Sequence, residues 1–379
     1  MSESLEPKCE NDCIFDKPFA LESGEVLPEI TQHFAIYGNL NSDKSNAILV
    51  FHALTGSARI HEWWTDIIGA GKALDTNNYA VICINYLGSC YGSTGANSVN
   101  PKLGKNYGAD FPLVTVADIV RVQKLVLESL DIETLKAVIG GSVGGMCALQ
   151  FASLFPNSTE KCVAIGACEL SAMGLALNHL QREALKHENN VSLARQIAMI
   201  SYKSHELFEQ RFSRRHNRNG ENPRQRFENR FDIAGYLDYQ GEKFIERFDK
   251  ETHKIITKAM DLFELNETEI AQITATNYFI GISSDWLFPA TDVKKLAERF
   301  HQNNVNAEYI ELISPDGHDA FLSDTAKMSG ILERILAKER VFTTDEQNTD
   351  IFNRDKEDER DFYGIKSKGK RQKIDNFAK

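Results

Sequence analysis

The sequence predicts an α/β protein in which a mostly parallel, doubly wound sheet carries helices on both faces. Short apolar runs rich in β-branched residues stand at positions 47–51, 79–85 and 137–139, and each has the length of a buried strand. Amphipathic helical patterns separate these runs, as at residues 114–130. Alternation of strand and helix is typical of a parallel sheet covered on both sides.

The alternation is interrupted once. Residues 171–265 are charged, helical in pattern and rich in Arg, Glu, Gln and Phe, which predicts a helical lid inserted over the C-terminal edge of the sheet. Sheet character resumes at residues 277–282 and 307–312. We therefore divide the chain into a loose N-terminus (1–16), an α/β core (17–170 and 266–340), the lid (171–265) and a charged, disordered tail (341–379).

The composition excludes several classes of protein. A net charge of −11 and a pI near 5.5 argue against a nucleic-acid-binding surface. The sequence shows neither an N-terminal apolar leader nor a run of 18 apolar residues, so we expect no membrane partner and a cytoplasmic location. The seven cysteines are an odd number, and no Cys/His spacing suggests zinc, so we expect reduced thiols and no metal.

The first motif that carries chemistry is a glycine-rich turn. Residues 140–144 read Gly-Gly-Ser-Val-Gly, directly after the strand at 137–139 and before a helix that Pro156 ends. Strand, tight turn and helix with Ser142 at the apex form a Gly-x-Ser-x-Gly nucleophile elbow. We expect glycine at positions 140 and 144 because neighbouring backbone would clash with a Cβ atom. The pentapeptide alone is also consistent with a turn that has no catalytic role.

A nucleophilic serine needs an acid and then a base later in the chain. Asp285 follows the strand at 277–282, and His318 follows the strand at 307–312. Taken singly, each is more typical of a cap or a turn. In this order and in these post-strand positions, they predict a Ser142–Asp285–His318 catalytic triad.

The loop after the strand at 47–51 is the expected source of one oxyanion-hole amide, and the residue after the nucleophile is the source of the other. These positions are Leu54 and Val143, each acting through its backbone N–H. His52 comes too early in the chain to be the base, so we interpret it as structural. The long, glycine-rich segment 87–107 is expected to border the site.

Several longer segments extend the pattern beyond the triad. They are His-Ala-Leu-Thr-Gly at 52–56 and the stretches 69–75, 87–112, 140–149, 193–204, 236–248, 284–285 and 316–319. In these segments the chain resembles the homoserine O-acyltransferases, α/β-hydrolase-fold enzymes that acylate homoserine in methionine biosynthesis. The resemblance covers most of residues 17–335, and the block 87–112 is particular to this family rather than to α/β-hydrolases at large.

The resemblance implies an α/β-hydrolase fold and the same triad and oxyanion-hole residues. It adds two substrate ligands. Arg211 matches an arginine on the lid side that holds the homoserine carboxylate, and Asp319 matches an aspartate that faces the amino group. An arginine fork suits a carboxylate, and a carboxylate suits an ammonium group.

The activity so predicted is ping-pong transfer of an acyl group, most readily acetyl from acetyl-CoA, to L-homoserine, without a permanently bound cofactor. The family also implies a homodimer formed through the lid helices. A succinyl donor, a serine acceptor, an ester hydrolase and a non-catalytic relative remain alternatives. Val143 replaces the usual Met of the family, which leaves a role of the backbone N–H unchanged. The connection at residues 186–192 is shorter than in the family, so acceptor choice stays open.

Overall fold

A computed structural model describes residues 5–186 and 191–337, and an eight-stranded sheet forms its centre. The order across the sheet is β1-β2-β4-β3-β5-β6-β7-β8. β2 runs antiparallel to both of its neighbours, and every other adjacent pair is parallel. The strands are β1 (Cys9–Phe15), β2 (Ile30–Tyr37), β3 (Ala47–Phe51), β4 (Ala80–Ile84), β5 (Ala137–Gly141), β6 (Lys161–Ile165), β7 (Thr276–Ile282) and β8 (Ala307–Leu312).

Helices connect the strands and form the insertion. They are α1 (Ile60–Trp63), α2 (Val116–Ser129), α3 (Val143–Leu154), α4 (Ala172–Leu185), α5 (Val191–Tyr202), α6 (His205–Arg211), α7 (Asp232–Ile245), α8 (Lys250–Asp261), α9 (Glu267–Ala271), α10 (Ala290–Gln302), α11 (Ala320–Ser323) and α12 (Thr325–Ala337). Short 3-10 helices lie at Gly108–Asp110 and Gly317–Asp319. Across the described ranges, none of the helices is both long enough and apolar enough to cross a bilayer.

The sheet separates two hydrophobic cores. One contains residues of α2, α3 and α10, such as Ile119, Met146 and Phe300, and the other contains residues of α1 and α12. β3, β4, β5 and β6 are buried along their whole length. Strands covered on both faces read as continuous apolar runs, which is why the sequence pattern identified them.

The insertion between β6 and β7 is helical. In its described part, residues 171–186 and 191–265, it contains α4–α8 and one isolated β-bridge between His216 and Phe231. α5 packs against α4, α7 and the 3-10 helix Gly317–Asp319. The indole of Trp286 also donates a 3.0 Å hydrogen bond to the carbonyl of Lys203, just after α5. The insertion is therefore joined to the loops that follow β7 and β8.

The N-terminus departs from the sequence expectation. Residues 1–16 were expected to be loose, but Cys9–Phe15 pairs with β2 along its full length. Strand pairing uses backbone groups, so a polar sequence can form an edge strand when a few side chains reach the core; here Cys9, Cys13 and Phe15 do so. The predicted tail (341–379) and residues 187–190 of the shortened connection lie outside the described residues.

Candidate active site

Ser142 stands at a strained turn between β5 and α3. Its backbone angles are φ 59° and ψ −128°, which a residue with a side chain rarely adopts and which is typical of functional sites. A Cβ on Gly140 would lie 2.1 Å from the carbonyl oxygen of Gly144, and one on Gly144 would lie 2.3 Å from that of Phe51. These distances confirm the steric reason for both glycines.

His318 and Asp285 form a buried pair at the ends of β7 and β8. Nδ1 of His318 lies 2.6 Å from Oδ2 of Asp285. The other carboxylate oxygen, Oδ1, accepts hydrogen bonds from the backbone N–H groups of Leu287 (2.9 Å) and Phe288 (3.0 Å). Both oxygens are held, so the carboxylate fixes the orientation of the imidazole.

The surroundings of His318 set its protonation. Burial among the rings of Tyr202, Phe288 and Phe321 lowers the pKa of the imidazole, but the charge and hydrogen bond of Asp285 outweigh burial, and the pKa is raised above its usual 6.5. Nε2 is buried and has no hydrogen-bond partner among the described residues. This nitrogen is therefore available to exchange a proton with a ligand or with Ser142.

Ser142 and His318 line one cavity of about 730 Å³, although no hydrogen bond joins them in the described chain. Catalytic hydrogen bonds often form only when substrate is bound. The loop after β3 and residues of the insertion supply further parts of the wall. The arrangement places a serine hydroxyl and an oriented imidazole on the wall of a space large enough for a small substrate.

The loop after β3 is anchored beneath the cavity. The rings of His52 and Tyr86 stack with centroids 3.8 Å apart, and the Tyr86 hydroxyl donates to the His52 carbonyl. Burial lowers the pKa of His52 to about 4, so the ring is neutral at pH 7. In the described ranges, the backbone N–H groups of Leu54 and Val143 have no hydrogen-bond acceptor.

The chain was compared with known proteins. A family model described as alpha/beta hydrolase fold matches residues 46–325. A homoserine O-acetyltransferase of Moorella thermoacetica is 38% identical over 354 residues, covering 84% of this chain and 94% of the relative. Another, of Symbiobacterium thermophilum, is 40% identical over 355 residues, covering 85% and 92%. The chain belongs to the homoserine O-acetyltransferase family.

Solved structures confirm the predicted fold. The homoserine O-acetyltransferase of Bacillus anthracis superposes with a TM-score of 0.81 at 24% identity, covering 88% of this chain and 98% of the other. Esterase E22 superposes with a TM-score of 0.78, also at 24% identity, covering 86% and 100%. Family membership and fold together bear out the resemblance found in the sequence.

The two substrate ligands implied by homoserine O-acetyltransferases are placed differently. Asp319 lines the cavity, and its Oδ2 pairs with Nζ of Lys203 at 2.9 Å. Arg211 does not line the cavity. It is the exposed last residue of α6, a helix that buries none of its residues, and its guanidinium lies 5.3 Å from the rings of both Phe212 and Tyr236. The structure therefore brings together the triad and Asp319, but not Arg211.

Two arginines of the insertion that line the cavity were missed in the sequence. Arg195 on α5 and Arg247, between α7 and α8, both line the cavity. They lie inside segments that match the homoserine O-acetyltransferase family, 193–204 and 236–248. The family match was the only available signal for these two residues. It could not single them out, because a sequence match does not reveal which side of a helix faces the cavity.

Proposed function

We propose that this protein transfers the acetyl group of acetyl-CoA to the hydroxyl group of L-homoserine by way of an acetylated Ser142. The observation that carries the proposal is the strained position of Ser142 in the same cavity as a histidine oriented by Asp285. The names of relatives 38% and 40% identical to this chain support the choice of donor and acceptor.

In the first half-reaction, Nε2 of His318 takes the proton of the Ser142 hydroxyl as the serine oxygen attacks the thioester carbonyl. The backbone N–H groups of Leu54 and Val143 donate to the oxyanion of the tetrahedral intermediate, a role supported by their lack of protein acceptors. The C–S bond then breaks, the CoA sulfur takes the proton from His318, and CoA leaves.

In the second half-reaction, the hydroxyl of homoserine gives its proton to His318 and attacks the acetyl carbon of acetyl-Ser142. Collapse of the second tetrahedral intermediate breaks the bond to Ser142, which regains its proton from His318. Asp319 is the proposed partner of the substrate ammonium group. One of its oxygens pairs with Lys203, and the residue lines the cavity.

An ester hydrolase is the second candidate, favoured by the structural likeness to esterase E22. The two activities share the first half-reaction and differ in whether water or an alcohol takes the acyl group. A closed site favours the alcohol because it excludes competing water. A succinyl donor or a serine acceptor would use the same triad.

One assay separates these functions. Release of free CoA is measured with acetyl-CoA or succinyl-CoA, each with homoserine, serine or no acceptor. We expect fast release only with acetyl-CoA and homoserine, and intact-mass spectrometry should show an acetyl adduct that a folded Ser142→Ala variant lacks. Equally fast release without an acceptor would establish a hydrolase, and turnover by Ser142→Ala would overturn the triad.

We also propose a homodimer formed through the insertion. Exposed apolar side chains are frequent on α4, α5 and α7, namely Met173, Leu175, Leu180, Leu193, Ile200, Tyr239 and Ile245. Groups of this kind are typical of interfaces between protein chains. A Leu180→Glu/Ile200→Glu double variant should elute as a monomer with light-scattering detection, whereas Leu103→Glu, an exposed site on the core, should not alter the mass. An unchanged double variant would contradict the interface.

We place the activity in the cytoplasm, within methionine biosynthesis. All seven cysteines are free. Reduced thiols are the usual state in that compartment. Thiol titration of freshly purified denatured protein should give seven thiols, and a lower number would contradict this location.

A further inference from the structure

The two N–H groups proposed for the oxyanion hole belong to different parts of the chain. Leu54 lies in the loop after β3, and Val143 is the first residue of α3. Donors stabilise an oxyanion only when they point at the place where its charge develops. The loop and the helix must therefore be held in a fixed relation to each other, and the contacts beneath the cavity show which residue does so.

The turn that contains Leu54 is held by His52. The N–H of Gly56 donates to the carbonyl of Ala53 at 2.9 Å, which closes the turn. Nδ1 of His52 lies 2.8 Å from the same carbonyl, and because a carbonyl oxygen only accepts, this nitrogen carries the proton. A Cβ on Gly56 would lie 2.9 Å from the Cβ of His52, so the turn is packed directly on this residue.

Tyr86 connects His52 to α3. Its fully buried ring stacks on the His52 imidazole with centroids 3.8 Å apart, and its hydroxyl donates to the His52 carbonyl. The same hydroxyl interacts with the thiol of Cys147, which lies on α3 four residues after Val143. A Cβ on Gly144 would lie 3.0 Å from the His52 carbonyl oxygen, so loop and helix meet at this point. One phenol group therefore contacts both.

Tyr86 can act only through these neighbours, because it does not line the cavity of the described chain. Burial raises the pKa of its hydroxyl well above the usual value, so the hydroxyl keeps its proton and remains a donor. A buried carbonyl that loses its donor carries an unsatisfied acceptor, which favours a shift of the loop. Removal of this single hydroxyl is thus expected to move the turn of Leu54 relative to α3.

We propose that Tyr86 is a positioning residue of the oxyanion hole. Its hydroxyl fixes the His52 carbonyl and thereby sets the distance between the N–H groups of Leu54 and Val143. The proposal deepens the acyl transfer proposed above and rests on it. Interactions made only in the transition state change the rate and leave the binding of the ground state unaltered. Loss of the hydroxyl should therefore slow the chemical step and spare donor binding.

The test uses Tyr86→Phe, which keeps the stacked ring and removes the hydroxyl. We expect the burst rate with p-nitrophenyl acetate to fall about 10-fold, less than the loss of about 100-fold or more on removal of a whole oxyanion donor. A trifluoromethyl ketone adds to Ser142 as a tetrahedral analogue, and its Ki should rise by the same factor of about 10. S-ethyl-CoA, a thioether that serine cannot attack, should bind within about twofold of wild type.

Two further readouts separate positioning from a general loss of structure. The acid limb of the pH profile belongs to His318 and should stay in place in Tyr86→Phe. The matched control is Tyr37→Phe, because Tyr37 is equally buried and its hydroxyl lies 2.8 Å from Nδ1 of His61. We expect a comparable fall in its denaturation midpoint, with the acetylation burst within about twofold of wild type.

Three results would overturn the proposal: a wild-type burst rate in folded Tyr86→Phe, an equal slowing in Tyr37→Phe, or a slower burst with an unchanged Ki for the ketone. If Tyr86→Phe does not fold, Cys147→Ala removes the contact on the side of the helix. It should lower the burst rate, and weaken the ketone, about threefold. An unchanged Ki in a folded Cys147→Ala would equally refute the link between loop and helix.

Failure of the underlying function is recognised in the wild-type arm. A wild type that forms no acetyl adduct, with acetyl-CoA or with p-nitrophenyl acetate, overturns the acyl transfer and this proposal together. A wild type that forms the adduct but passes it to water and not to L-homoserine overturns the proposed function alone. In that case the burst rate and the Ki of Tyr86→Phe still decide the role of Tyr86.

Discussion

The guanidinium of Arg247, in the insertion, donates a 3.0 Å hydrogen bond to the backbone carbonyl of Thr55, in the loop after β3. The hydroxyl of Tyr91 donates in turn to the carbonyl of Arg247 at 3.1 Å. One residue of the insertion thus holds the loop that carries the Leu54 N–H. The position of an oxyanion donor is sensitive to small movements, so this contact links the insertion to the chemistry.

Replacing Arg247 should therefore slow acetylation of Ser142. A charge-assisted hydrogen bond contributes about 1.5 kcal/mol, so we expect Arg247→Met to lower the burst rate with p-nitrophenyl acetate about 10-fold. The matched control is Arg230→Met, because Arg230 pairs with Asp238 elsewhere in the insertion. Equal burst rates in the two variants would show that the contact with Thr55 does not position the loop.

Asp285→Asn tests the orientation and protonation of His318. An amide can present its N–H to Nδ1 and trap the wrong tautomer, an exchange that lowers kcat about 10,000-fold in the serine-protease example. In the wild type, kcat/KM should fall as pH falls through a pKa above 6.5, because Asp285 raises the pKa of His318. In the variant, the raising effect of Asp285 on the pKa of His318 is lost, so the acid limb should move to lower pH. A limb that stays in place would contradict this coupling.

Gly144→Ala tests the packing of the elbow. The added methyl would lie 2.3 Å from the carbonyl oxygen of Phe51, so α3 must shift, at a cost of about 1–3 kcal/mol in the free energy of unfolding. The shift would also displace Ser142 and the Val143 N–H, so the acetylation burst should nearly disappear. Gly330→Ala on α12 is the control, because its Cβ would meet no atom within 4 Å. Equal stability of the two variants would contradict the clash.

His253 makes the insertion sensitive to acid. It is buried on α8, with Nε2 2.9 Å from Oε1 of Gln181, and burial lowers its pKa to about 3. Below pH 6.5 the His253 imidazole is protonated in the unfolded chain but stays neutral in the folded chain. The free energy of unfolding therefore falls as pH falls from 6.5 towards 3. The slope approaches about 1.4 kcal/mol per pH unit.

Denaturant titration checks this proton. Between pH 7 and pH 5, we expect the free energy of unfolding to fall by about 2 kcal/mol less in His253→Gln than in the wild type. His179→Gln, at an exposed histidine of α4, is the matched control and should follow the wild type. If His253→Gln loses as much as the wild type, then His253 is not the group that titrates.

The sequence alone determined the buried strands at the centre of the sheet, the glycine-rich turn at Ser142 and the pairing of Asp285 with His318. These features depend on short contiguous patterns: a buried strand reads as an apolar run, and the glycines at 140 and 144 are required by contacts within one turn and its neighbouring strand. Parallel strands end at the same edge of the sheet, so Asp285 and His318 were expected to meet, and they lie 2.6 Å apart.

Only the tertiary structure decided which charged side chains of the insertion face the cavity. Arg195, Arg211 and Arg247 all carry the same charge in the insertion, yet only Arg195 and Arg247 of these three line the cavity. The orientation of Arg195 depends on how α5 packs against α4, α7 and the loop of His318. These contacts join residues far apart in the chain, so no local pattern encodes them. The edge strand Cys9–Phe15 was not predicted for the same reason, because it is defined by its pairing with β2.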